Sequence, residues 1–211
     1  MALSDATKAG VALFVGVAQF GIFVIVAESV FPGYSVANNY ISDLGPPCQG
    51  AAACGSQTSW WIFDSSIAIM GMCILVGGYF INRYFHWKPA TGFIVLSGIG
   101  TIGIGIFNES SPFMLHDIFS LITFVGIGLT AVVSFWLQKP PMSYFSVLLG
   151  LASLTALILY IPQTGTAFGS ALGIGPGGLE RMIVYPVIFW GLAFAGHLMA
   201  LEERPIPKMP K

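Results

Sequence analysis

Charge is what this chain most lacks: only 8% of its 211 residues are Asp, Glu, Lys or Arg, where a soluble domain carries roughly a quarter. A chain so poor in charge cannot coat a water-facing surface. With 55% hydrophobic residues, its natural solvent is lipid, which tolerates apolar side chains on every face of a helix. Basic residues are scarce as well. At a formal net charge of −1 there is no basic stripe to neutralise phosphates, so nucleic acid is excluded as a partner. No Cys-x-x-Cys-His attachment run and no phosphate-binding loop with lysine occurs in the sequence, so neither haem nor nucleotide is expected. Two glycine patterns, Gly98-x-Gly100-x-x-Gly103 and Gly173-x-Gly175-x-x-Gly178, imitate a dinucleotide fingerprint. Both lack the preceding strand that gives the pattern its meaning.

What is present is a series of long apolar runs. Hydropathy places spans near residues 9–31, 60–84, 91–107, 115–137, 143–162 and 179–201, each close to the roughly 20 residues that a bilayer requires. The expectation is a single all-α domain over residues 1–211, a polytopic bundle of six transmembrane helices. The first run follows Lys8 as a signal peptide would, but it is too long and has no small-residue cleavage pattern before Pro32. It is expected to remain as the first helix. Basic residues set the orientation: with both termini cytoplasmic, Lys8, Arg83, Lys88, Lys139, Arg204, Lys208 and Lys211 lie inside and Arg181 alone lies outside. That places the protein in the plasma membrane as a multi-pass chain.

Two outer connections stand out, an ordered loop over residues 32–59 and a Gly-rich one over residues 163–178, the second able either to cross the surface or to re-enter the protein. Cys48 and Cys54 both lie in the first, on the oxidising side, and a disulfide is expected there. Cys73, inside the second span, reads as a packing residue. Small residues recur at helical spacing as Ser97, Thr101 and Gly105, and as Gly126, Thr130 and Ser134. They predict close helix–helix packing, because helices in lipid associate through backbone approach. Pro186 falls inside the sixth span and should kink it, freeing a carbonyl about one turn earlier.

The ionisable residues map to one membrane face. Glu28, Asp43, Asp64, Glu109, Asp117 and Glu180 all fall at the outer ends of spans or in the outer loop, with Arg181 and His116. Asp64, Asp117 and Glu180 read as first-turn acids, which the helix dipole favours. Glu28 and Glu109 sit at helix C-termini, where the dipole disfavours them. Each needs a partner, and Arg181 is the available cation. His116 is followed by Asp117, and Glu109 returns across a short bend. One His with carboxylates suits a divalent metal, a general acid–base pair, or simply a hydrogen bond between helices. His197 lies about 19 residues into the last span, ~28 Å from its outer end at 1.5 Å per residue, so it cannot share an iron with His116.

Three segments together carry a family resemblance: Asn39-Tyr40-Ile41-Ser42-Asp43-Leu44-Gly45; Phe107-Asn108-Glu109 with His116; and Gly178-Leu179-Glu180-Arg181-Met182-Ile183 with Tyr185. The chain resembles, over nearly its whole length, a prokaryotic and mainly archaeal family of six-helix membrane proteins known only as a domain of unknown function. That family is distantly similar to the Frag-like proteins, some of which remodel lipid anchors. Asn108 stands where the family pattern has a proline. The resemblance implies that the three polar segments act together, and the topology puts them outside. The expected site is an outward-facing pocket that acts on lipid or isoprenoid head groups. His116, Glu109 and Asp117 are its catalytic candidates and its candidate metal ligands. Arg181, Glu180, Asp43, Asn39 and Tyr185 are the ligand-binding candidates, with Arg181 holding the head group. The alternative is a non-catalytic subunit or scaffold in contact with another membrane protein. A transporter is disfavoured, since the polar cluster does not continue to mid-depth.

Overall fold

A computed structural model of the chain describes residues 3–45, 56–109, 111–160, 169 and 172–201. Six long helices account for nearly all of them: α1 (Asp5–Ser29), α2 (Gln57–Phe85), α3 (Lys88–Ile106), α4 (Leu115–Val133), α5 (Met142–Tyr160) and α6 (Gly175–Ala200). All six are long and apolar enough to cross a membrane. No strand occurs among the described residues. Their starts are chemically marked. Ser4 and Ser56 accept from the backbone N–H groups of Thr7 and Ser59, satisfying donors that a helix N-terminus leaves open. Pro89 and Pro176 occupy first-turn positions in α3 and α6, where a missing N–H is harmless. His86, in the left-handed region, ends α2.

The helices form a ring with one member displaced. Each packs against the next, α6 closes on α1, and α4 also touches α6, so that α5 sits outside the seam between α4 and α6. The five inner helices enclose a central cavity. Outward side chains such as Ile22, Ile25, Leu148, Ile158 and Phe189 are exposed, the reverse of a water-soluble bundle and the arrangement lipid requires. A stacked Trp60–Trp61 pair marks one end and a Trp87–Trp136 pair the other, as expected of rings that prefer the two interfaces.

Small residues set the helix spacing as predicted. Ser97, Thr101, Thr130 and Ser134 are buried, and a β-carbon on Gly126 would come within 2.6 Å of Ser97 Oγ. The hydroxyls return to their own helices, Ser97 to Phe93 O and Thr130 to Gly126 O, so no donor is stranded in hydrocarbon. Helix α6 runs without a break through Pro186, and Ser153 Oγ on α5 donates to the adjacent Ile183 O at 2.7 Å. At the end opposite Arg181, Asp5 holds both Lys8 and Arg83, at 3.1 and 3.0 Å.

Two expectations change. The Gly-rich connection was expected to run through Gly178, but α6 already begins at Gly175, because Gly175 with φ +68° and Pro176 start a helix where hydropathy registers nothing. For the same reason Asp64 and Glu180 lie in the second turns of α2 and α6 rather than the first. The dipole therefore accounts for Asp117 alone, which does open α4. Cys48, Cys54 and most of the Gly-rich connection lie outside the described residues. Cys73 is a free thiol.

Candidate functional site

The polar end of the bundle contains two separate constructions. The first is a clamp centred on Arg181, only 5% exposed. One guanidinium nitrogen, Nη1, donates to the carbonyls of Val36, Asn39 and Gly177 at 2.9–3.1 Å. The other, Nη2, donates to Glu28 Oε1 at 2.6 Å and to the Tyr34 hydroxyl at 2.5 Å. A planar fork of donors suits this convergence of carbonyls and carboxylate, which a lysine could not span. Glu28 thus has the partner its C-terminal position demanded. Tyr34 passes the interaction on by donating to Tyr40 O at 2.9 Å. Burial raises the Tyr34 phenol above its ordinary value, so it stays protonated and can donate.

The segment gripped by Arg181 is folded by its own side chains. Asp43 Oδ2 accepts from Asn39 Nδ2 and Tyr40 N, and Asn39 Oδ1 accepts from Ser35 N. Glu180 Oε2 accepts from Ile41 N. Gly177 N donates to Ala37 O at 3.0 Å, and a β-carbon on Gly177 would lie 2.7 Å from Val36 O and closer still to Asn39 O. Gly175 is likewise pressed against Ala37 O. Gly175, from the fingerprint-like pattern, and Gly177 therefore serve docking of the loop backbone onto α6.

The second construction is a pair of adjoining cavities. The deep one, about 90 Å³, lies between the inner helices and is walled mostly by apolar side chains, including Leu13, Val17, Phe20, Ile127, Val187 and Trp190. The wider one, about 320 Å³, forms a vestibule walled by Glu109, Asp117, Leu121, Leu157 and Tyr160. Ser42, His116, Ser120, Phe124 and Glu180 belong to both walls. His116 is 8% and Glu180 7% exposed. Ser42 and Ile41 put the clamped loop over the deep cavity, so the clamp forms its cover.

His116 is held by the bend, not by a carboxylate. Its Nδ1 lies 2.9 Å from Phe107 O. A carbonyl only accepts, so Nδ1 carries a proton, and in the neutral ring Nε2 carries the lone pair. Asp117 was expected to orient the ring, but the adjacent residue on a helix projects about 100° away. Glu109 shares the vestibule wall without bonding the imidazole. Phe113 and Met114, both at positive φ, make the turn that brings Phe107 under His116.

The predicted residues thus divide. His116, Glu109, Asp117 and Glu180 meet at the vestibule. Arg181, Asn39 and Asp43 belong to the clamp, and none of them lines either cavity. Arg181 was expected to hold a head group, but its Nη1 and Nη2 donors are engaged by the loop, Tyr34 and Glu28, and its buried Nε, which has no partner among the described residues, belongs to a side chain that lines neither cavity. Tyr185 packs beside the core near Phe189. Among the described residues no three His, Cys, Asp or Glu, and so not His116, Glu109 and Asp117, come together as a metal-ligand set. Sequence reasoning passed over Ser120, Thr123, Phe124 and Ile127. They follow His116 at i+4, i+7, i+8 and i+11, one helical face, which is the signal that could have found them. Ser42 and Tyr34 carried no comparable signal.

Six membrane-length helices around a central cavity make this a multi-pass α-helical membrane protein. Residues 14–197 match the family described as "Protein of unknown function (DUF998)", and the chain belongs to that family. No curated protein and no solved structure matches it.

Proposed function

We propose that this is a plasma-membrane protein whose Arg181 end faces the extracytoplasmic side, and that its two cavities hold an amphiphile, a lipid or isoprenoid, for chemistry at the head group. The observation that carries the reading is the shared wall. An apolar cavity inside the bundle meets a polar vestibule at His116, Ser42, Ser120 and Glu180. An apolar chain fits the first and a head group the second, which is how small-ligand sites combine apolar lining with a few convergent polar groups. The vestibule also borders lipid-facing side chains, since Leu121 and Met114 line it and are exposed. An amphiphile can thus enter from the bilayer along α4.

His116 supplies the chemistry. With its Nδ1 proton held by Phe107 O, Nε2 of the neutral ring is the atom able to accept a hydrogen bond or a proton from a hydroxyl placed in the vestibule. Among the described residues, Lys8, Arg83, Lys88 and Lys139 at the opposite end and Arg181 alone at this one support the orientation.

The test is the amphiphile content of the purified protein, read by organic extraction and mass spectrometry beside Ile127→Trp, which fills the deep cavity. About one molecule per chain in the wild type, lost in the variant, is the expected result. Equal recovery from both would overturn the reading. Labelling of Ser111→Cys but not His86→Cys by an impermeant maleimide on intact cells checks the orientation.

A further inference from the structure

The charge around the vestibule restricts which head group it can accept. Glu109, Asp117 and Glu180 line it, and no Lys or Arg among the described residues lines either cavity. Among the described residues the single Lys or Arg at this end, Arg181, is buried in the clamp with Glu28. A phosphate carried into this vestibule would face carboxylates with no counter-charge, which costs energy at close range in a low-dielectric site.

A second observation points to what does fit. His116 is more than nine-tenths buried and lines both cavities. Its Nδ1 is tied to Phe107 O, and Nε2 has no partner among the described residues. In the neutral ring Nε2 is an acceptor, and a ligand donor in either cavity would satisfy it. Ser42 and Ser120 in the shared wall can donate or accept.

We infer that the site takes a single-chain amphiphile whose head group donates hydrogen bonds and carries no negative charge, an alcohol or an alkylammonium, held by His116 Nε2 beside Glu180. The inference rests on the amphiphile reading above and narrows its head group, which Arg181 had been expected to hold. The two sources of the donor differ in one respect. An ammonium also gains the carboxylates as counter-charge, and an alcohol does not.

Three ligands with one tail test it: dodecylamine, dodecanol and dodecyl phosphate, each titrated into purified protein in uncharged nanodiscs. Trp190 fluorescence, from the wall of the deep cavity, and native mass spectrometry report binding. Three variants accompany the wild type. Ile127→Trp blocks the tail. His116→Ala removes the ring. His116→Asn keeps a side-chain donor for Phe107 O while removing the Nε2 acceptor, so it separates loss of the head-group contact from loosening of the bend. We expect dodecylamine or dodecanol to bind about tenfold or more tightly than dodecyl phosphate, and the advantage to fall in both His116 variants. Dominance of dodecylamine assigns the carboxylates a counter-charge role, and parity with dodecanol assigns hydrogen bonding alone. Dodecyl phosphate binding as tightly as the others, with all three blocked by Ile127→Trp, overturns this inference and leaves the amphiphile reading standing. Binding indifferent to Ile127→Trp overturns both.

Discussion

Replacing Arg181 with methionine removes a guanidinium that bonds three carbonyls, a tyrosine hydroxyl and Glu28. The Glu28 side chain is 16% exposed, so its carboxylate would be left largely desolvated with no cation. Breaking one side of a buried ion pair costs about 3–5 kcal/mol, and stranded carbonyls about 1–3 kcal/mol each where water cannot reach them. The carbonyls lie at the bundle end, so water recovers part of the second cost and the ion-pair figure sets the scale. For a chain of this size it corresponds to a fall in Tm of about 6–20 °C. A double-mutant cycle with Glu28→Met identifies the cause. Removing both charges takes away the uncompensated carboxylate, so the double variant should be less destabilised than the two single losses added, by about 2 kcal/mol. The assay is thermal unfolding in detergent by tryptophan fluorescence, with hydrogen exchange of the backbone amides between Tyr34 and Gly45 as the local readout. Exchange there should accelerate in Arg181→Met while the middle of α2 stays protected. Additivity within about 0.5 kcal/mol, or unchanged exchange in the loop, would refute the clamp.

Gly177→Ala should destabilise by about 1–3 kcal/mol, since its β-carbon meets the Asn39 and Val36 carbonyls, whereas Gly196→Ala, with nothing within 4 Å, should be neutral or stabilising; parallel melts of the two decide it. Ser134→Val strands the buried Trp190 indole N–H, which donates to Ser134 Oγ at 3.1 Å, while Gln138 Nε2 loses one acceptor and keeps Ser146 Oγ at 2.9 Å. A loss of about 1–3 kcal/mol with a shifted Trp190 emission is the expected outcome. The Tyr34 phenol gives the clamp a pH dependence. Burial raises its value in the folded protein, so its contribution is complete below the ordinary phenol range near pH 10 and fades as pH climbs through the folded value. Tm measured from pH 8 to 11 should fall more steeply in the wild type than in Tyr34→Phe, and identical slopes would remove Tyr34 from the clamp.

Periodicity and composition made the six helices legible because a bilayer asks for length and hydrophobicity, both of which a single chain displays. The pairing of Glu28 with Arg181 was nearly legible too. An acid at a helix C-terminus needs a cation, and only one was at hand. Glu109 was the competing partner, and sequence could not separate the two because the choice depends on which helices are neighbours across the ring. Helix starts were misread for a simple reason. Ser56 and Gly175-Pro176 open α2 and α6, and neither registers as hydropathy, so Asp64 and Glu180 were placed a turn too early.

By itself, then, the sequence determined the membrane class, the number of helices, the gathering of polar residues at one end, and the small-residue faces on α3 and α4. Each depends on local composition or on spacing along one helix. The tertiary structure decided how those polar residues divide. It drew Arg181, Asn39 and Asp43 into a clamp and left His116 and Glu180 at the junction of two cavities. That division follows from the closure of α6 onto α1 and the docking of loop carbonyls on Gly177. Contacts between residues more than a hundred positions apart are set by packing, and no periodicity along the chain records them.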